Sequence, residues 1–221
     1  MNLQDDGLSW IWLLSGGVLY FLAMIWSLKT APWHKVLDKE SQHVFLGATV
    51  MVFLLWNSGA SIGSGLTFHL LMAALITLMF GAQFAMISMS IALLGVTALG
   101  NAGWLAYGLN AVLMGVIPIL IVWWMAVWSY RYLERNFFVF ILLNGFLAAG
   151  ITSVVTLALS AVVMTWSGVQ SVETLEQSFI PYIPLMAIPE GFSNAMLLLA
   201  LVLMKPEWVS CFTDEQYLNG K

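Results

Sequence analysis

The stretch FFVFILLNGFLAAGITSVVTLALSAVVMTW, Phe137–Trp166, contains no Asp, Glu, Lys, Arg or His. About 20 consecutive apolar residues cross the hydrocarbon core of a bilayer as a helix, so this run spans a membrane with length left to tilt or project. The same character recurs on both sides of it. Leu8–Leu28, His43–Trp56, Leu66–Phe80, Phe84–Leu99, Trp104–Tyr130 and Ile180–Met204 read as further spans, with Pro118 predicting a kink in the fifth. The separators are polar or rich in small residues: Lys29 to Gln42, Asn57 to Gly65, Gly81 to Gln83, Gly100 to Gly103, Arg131 to Arg135 and Gly168 to Phe179, with a polar tail from Lys205. The third and fourth runs are short. They form either two crossings or one re-entrant pair, and we take two crossings.

Composition agrees with this reading. Of the 221 residues, 61% are hydrophobic and 8% are charged, against about 45–50% and 25% in soluble domains. One globule of this size cannot hide that excess. A soluble enzyme, a nucleic-acid binder and a disordered chain are excluded. What remains is an all-α, polytopic bundle of about seven transmembrane helices, a single integral membrane domain over residues 1–221 in the cell membrane. The start is acidic (Asp5, Asp6) and has no cleavage site, so it does not read as a signal peptide. The lone cysteine, Cys211, excludes an internal disulfide and reads as a tail residue.

Charge placement sets the orientation. With seven spans, Lys29, Lys35, Lys39, Arg131, Arg135, Lys205 and Lys221 all fall on one side. Basic residues mark the cytoplasmic side, which puts the N-terminus outside and the C-terminus inside. Asp5, Asp6, Glu173 and Glu176 fall outside.

Polar residues at membrane depth carry information because each is costly there. Glu190 is the one carboxyl group inside a predicted span. It is either a packing hydrogen bond to a neighbouring Asn or a transport or gating residue, and Pro189 and Gly191 beside it suggest a locally opened backbone. Asn110 and Asn144 suit interhelical hydrogen bonds, and Gly145, Ala148, Ala149 and Gly150 allow close helix contact. His34 and His43 belong to the basic cytoplasmic side. His69 follows the Gly/Ser loop on the outer side, where it is either packed through hydrogen bonds or a metal ligand whose partners come from another external segment. Gly63-Ser64-Gly65 has no suitably placed histidine base for a serine protease. The sequence also contains no H-E-x-x-H and no Walker A motif, so any ATP is hydrolysed by another chain.

Five pieces, in order, resemble one family. NSGASIGSGLTFHL (Asn57–Leu70) resembles a loop-to-helix segment with an Asn, a Gly-rich turn and an ending like G-T-S-x-H-L. YGLNAVLMG (Tyr107–Gly115) resembles G-x-N-x-x-x-M-G. Pro189-Glu190-Gly191 is similar to G-E-G, Lys205-Pro206-Glu207 to R-P-D/E, and MNLQDDG (Met1–Gly7) to an altered M-H-I-P-D-G. The family is CbiM/NikM, the membrane-embedded substrate-binding subunits of cobalt and nickel energy-coupling-factor transporters.

The resemblance implies a seven-helix bundle that is not an enzyme. It captures a divalent transition metal outside and releases it inside, driven by partner ATPase subunits and a coupling transmembrane subunit. The metal, of the cobalt or nickel class, is cargo rather than a permanent cofactor, and no nucleic acid is involved. The family's ligands fall here on Met1 (its amine), Asn2 and His69, in square-planar coordination. Asn2 stands where the family has histidine, and the spacing to Gly7 carries one extra residue. The Met1 amine, the Asn2 backbone nitrogen and His69 remain as donors, and Asp5 or Asp6 offers a fourth. The alternative is a membrane accessory protein, or a binder of another small solute, on the same scaffold. Asn57, Asn110 and Glu190 complete the polar residues singled out within the bundle.

Overall fold

The computed structural model describes residues 2–61, 67–213 and 217. It is a helical bundle. Among the described residues five helices are long and apolar enough to cross a membrane: α1 (Trp10–Thr30), α3 (Ala73–Ala98), α4 (Tyr107–Tyr132), α5 (Phe137–Trp166) and α7 (Tyr182–Met204). A further long helix, α2 (Lys39–Asn57), begins with Lys39 and Glu40 and is more polar at that end. Asp38 caps it by accepting the Ser41 N–H at 2.8 Å, and that amide holds the Asp38 carboxyl below the usual carboxylate range. A short helix, α6 (Val172–Ser178), joins α5 to α7 and is capped by Ser171 on the Thr174 N–H. The sequence reading gave this segment only as polar.

The α3 segment is two helices running in opposite directions. Gly81 has φ 81° and ψ 167°, outside helical geometry and in the half of φ space that favours glycine. Before it, Ala73–Phe80 runs beside α7: Leu75 N–H reaches Asn194, and Met79 O is met by Ser210, just past α7. After it the chain runs back. Ser27, near the cytoplasmic end of α1, donates to Gln83 O at 2.6 Å, and Ser88 meets Thr49 of α2. Beyond Ala98, Asn101 pairs with Asn57 at the outer end of α2. The chain therefore makes the two predicted passes, but the third is only half helical. Its first part is extended, with Thr67–Phe68 paired antiparallel to Ala60–Ser61, and the helix starts at Ala73 rather than near Leu66. The Gly63-Ser64-Gly65 turn lies outside the described residues.

Two other details add to the sequence reading. Pro118 lacks an N–H for the helix ladder, and α4 widens to π geometry over Val112–Val116 just before it. The tail past Lys205 is not simply a polar extension. Val209, Phe212 and Tyr217 are buried. Ser210 and Cys211 donate backbone N–H groups to Met79 O (2.9 Å) and Leu78 O (3.2 Å), carbonyls that the break at Gly81 leaves without helical partners. Cys211 is thus part of a docked segment.

Close backbone approach holds α1 to α4. A Cβ on Gly16 would lie 2.6 Å from Leu109 Cα, and one on Gly108 would lie 2.6 Å from Gly17 Cα. Between α4 and α5, Asn144 and Ser129 share hydrogen bonds of 3.0–3.1 Å, the interhelical role expected of Asn144. The described basic residues Lys29, Lys35, Lys39, Arg131, Arg135 and Lys205 gather at or beyond the same ends of α1, α2, α4, α5 and α7, the end the charge rule assigns to the cytoplasm.

Candidate metal-capture site

The N-terminal segment enters the outer end of the bundle. Asn2 and Leu3 are buried. Asn110, in α4, treats Leu3 as a neighbouring strand would: its Oδ1 accepts the Leu3 N–H and its Nδ2 donates to Leu3 O, both at 2.9 Å. Gly103 N–H donates to the same carbonyl at 3.1 Å. Asp5 Oδ1 accepts the Ala106 N–H at 2.8 Å. This fit needs glycine at position 103, because a Cβ there would lie 2.6 Å from the backbone nitrogen of Asp5. Backbone groups with no helix or sheet partner are thereby satisfied inside the protein.

His69 sits on the extended half of the third pass and is buried at 4% exposure. Three contacts position it. Trp56 of α2 lies beside it, ring centroids 5.5 Å apart, and donates Nε1–H to Leu71 O at 3.2 Å. Glu190 of α7 accepts the N–H groups of Leu71 (2.6 Å) and Met72 (2.8 Å). Asn194, one turn on, donates to Glu190 and accepts the Leu75 N–H at 2.9 Å. Glu190 and Asn194 thus cap a helix that starts inside the bundle, where no water satisfies its first amides. Met72, just before that helix, takes φ 59°.

The two halves meet at His69 Nε2 and Asn2 Oδ1, 3.0 Å apart and 67 residues distant in sequence. Asn2 Nδ2 donates to Asn101 O at 3.2 Å, and Asn101 Nδ2 donates to Asn57 Oδ1 at 2.6 Å. A chain of amides therefore runs Asn57–Asn101–Asn2–His69 across the outer end. An apolar cleft of about 510 Å³ between the ends of α2 and α7, with Leu55, Phe68, Tyr182 and Pro189 among its walls, reaches His69.

Of the sequence candidates, Asn2 and His69 come together, and Met1 lies outside the described residues. Asn57 is an exposed residue at the outer end of α2 rather than one at membrane depth. Asn110 anchors the N-terminal segment. Glu190 makes the expected hydrogen bond to an Asn, and it also holds the loop that carries His69. Asp5 is turned to Ala106, and Asp6 is exposed. Among the described residues no three His, Cys, Asp or Glu side chains converge on one point. Sequence reasoning missed Asn194 and Asn101. Asn194 was within reach: its i, i+4 spacing from Glu190 puts both on one helix face. Asn101 gave no local signal, because its partners are distant in sequence.

The chain matches a family described as CbiM, "Cobalt uptake substrate-specific transmembrane region", over residues 2–208. No curated protein sequence matches it. Two solved structures share its fold. A structure described as a truncated transition metal transporter has 18% identity and a TM-score of 0.71, over 93% of this chain and 99% of that one. Another, described as a transition metal transporter, has 19% identity and a TM-score of 0.70, over 91% and 92%.

Proposed function

The chain belongs to the CbiM family and is a multi-pass membrane component of a metal-uptake transporter, not an enzyme; on that premise we propose that it is the subunit that captures the metal at the outer face, of the cobalt or nickel class. The observation that carries the reading is the contact between Asn2 and His69, made by an N-terminal segment that five further hydrogen bonds insert into the bundle. Such anchoring brings Asn2 and the His69 imidazole into one region, and nitrogen donors suit late first-row divalent ions.

In this reading partner ATPase subunits and a coupling transmembrane subunit drive transport, as the family resemblance implies, and the sequence has no Walker A motif of its own. Capture occurs at the outer site, and release follows when partners move the subunit. A second reading keeps the scaffold without metal import, as an accessory protein or a binder of another solute. It draws support from the lack of a cluster of three conventional ligands among the described residues.

Accumulation of cobalt and nickel in cells carrying the chain with its partner subunits distinguishes the two. Wild-type protein is expected to raise cellular metal, and His69→Ala is expected to abolish the rise at equal membrane abundance. Equal accumulation by both would remove the reading.

A further inference from the structure

Between α2 and α7, in the cytoplasmic half of the bundle, the surface opens into an apolar groove of about 650 Å³. Its mouth joins a charged chamber of about 620 Å³, and Glu40, Val44, Met79 and Trp208 belong to the walls of both. We propose that this paired cavity binds one inner-leaflet phospholipid with a primary-amine headgroup, its acyl chain in the groove and its headgroup in the chamber. The proposal is independent of the metal site.

The short helix before Gly81 supplies the floor of the groove through Leu75 and Met79, both buried. Gly47, Ala48 and Met51 of α2 stand on one side, and Leu197 and Leu201 of α7 on the other. Gly47 is exposed, and a Cβ on it would meet nothing within 4 Å, so the missing side chain leaves the recess open. From His43 to Met51 the groove follows α2 for about 12 Å. That is close to half of the roughly 30 Å hydrocarbon core, the depth of one leaflet.

The chamber carries both signs of charge. Lys35 and Lys205 line it together with Asp38, Glu40 and Glu207. Lys205 pairs with Glu207 at 3.2 Å, and Asp38 is engaged in capping α2. Lys35 makes no ion pair among the described residues, which leaves it for a phosphate. Glu40 stands where chamber and groove meet. One of its oxygens accepts the Trp208 Nε1–H at 3.3 Å, and a carboxylate has further lone pairs for an ammonium.

An ethanolamine headgroup matches this arrangement. Its phosphate meets Lys35, and its ammonium donates charge-assisted hydrogen bonds to Glu40. Choline has no N–H to donate, and the Trp208 ring that could attract it already has Lys205 over it, 5.7 Å from the centroid. A glycerol headgroup brings negative charge towards three carboxylates with no ammonium to offset it.

The test is native mass spectrometry of the purified full chain in detergent, offered equal dioleoyl phosphatidylethanolamine, phosphatidylcholine and phosphatidylglycerol. Wild type is expected to keep one phosphatidylethanolamine per chain, favoured about fivefold over each competitor. Gly47→Leu and Ala48→Phe fill the groove and should cut retention of all three lipids about tenfold. Thermal melts establish that these variants are folded, and Val50→Leu, exposed on α2 outside the groove, should retain lipid as wild type does. Glu40→Gln keeps an acceptor for Trp208 and should still bind lipid, but without preference for ethanolamine over choline. Equal retention of the three lipids by wild type, or retention by folded Gly47→Leu and Ala48→Phe equal to wild type, overturns the inference. So does a Gly47→Leu chain that keeps its lipid but no longer copurifies with its partner subunits, which would assign the groove to a partner helix.

Discussion

Glu190 Oε2 lies 2.6 Å from the backbone nitrogen of Leu71, two residues past His69, and joins the middle of α7 to the loop that carries the imidazole. The other carboxylate oxygen accepts the Met72 N–H and an Asn194 N–H. Replacing Glu190 by Ala strands these donors inside the bundle. We expect Glu190→Ala to cost about 3 kcal/mol or more, seen as a lower melting temperature in detergent, and to weaken metal binding at His69. Unchanged melting would contradict the capping role.

Asn110 holds the backbone of Leu3 by two hydrogen bonds of 2.9 Å. Asn110→Ala should release the N-terminal segment while the helices persist, at a cost of about 2 kcal/mol. Hydrogen exchange provides the check: the Leu3 amide becomes fast-exchanging while α4 and α5 remain protected. Protection of Leu3 equal to wild type would show that Asn110 does not anchor it.

Gly81 turns the chain back between the two helices of α3 at φ 81°. At ψ 167° this is a region essentially reserved for glycine, and an L-residue there is strained by about 1–3 kcal/mol. Gly81→Ala should lower the melting temperature even though the nearest side-chain atom to the added carbon, Gln83 Oε1, lies 3.9 Å away. A neutral substitution would mean that the turn adopts another geometry.

Gly108 packs against α1 so closely that a Cβ would lie 2.6 Å from Gly17 Cα. Because that neighbour is backbone, relief requires the helices to separate. Gly108→Ala is expected to destabilise by about 1–3 kcal/mol, measurable by thermal melting, whereas Gly47→Ala, with open space around it, should not.

Much of this was legible in the sequence. The apolar runs located the long helices to within a few residues, except that α3 starts at Ala73 rather than near Leu66, and the basic residues gave their alternation. Polar residues stranded in those runs picked out Glu190, Asn110 and Asn144, each of which makes long-range hydrogen bonds. The extended half of the third pass was not legible. Leu66 to Phe80 is apolar throughout, and periodicity alone does not separate a buried extended segment from a helix. Nor was the docking of Ser210 and Cys211, since it depends on carbonyls exposed by a break in α3. At the site, the resemblance to known metal subunits joined Asn2 to His69. The amide chain through Asn101 appears only once the termini of α2, α3 and the N-terminal segment meet.

The central claim is that the N-terminal segment and His69 form one metal site. The most direct test is the metal bound per chain by the purified protein with a free N-terminus, measured beside His69→Ala and beside a form extended at the N-terminus. One ion per chain in the first, and none in the other two, is the expected result. Equal metal in all three would contradict the claim.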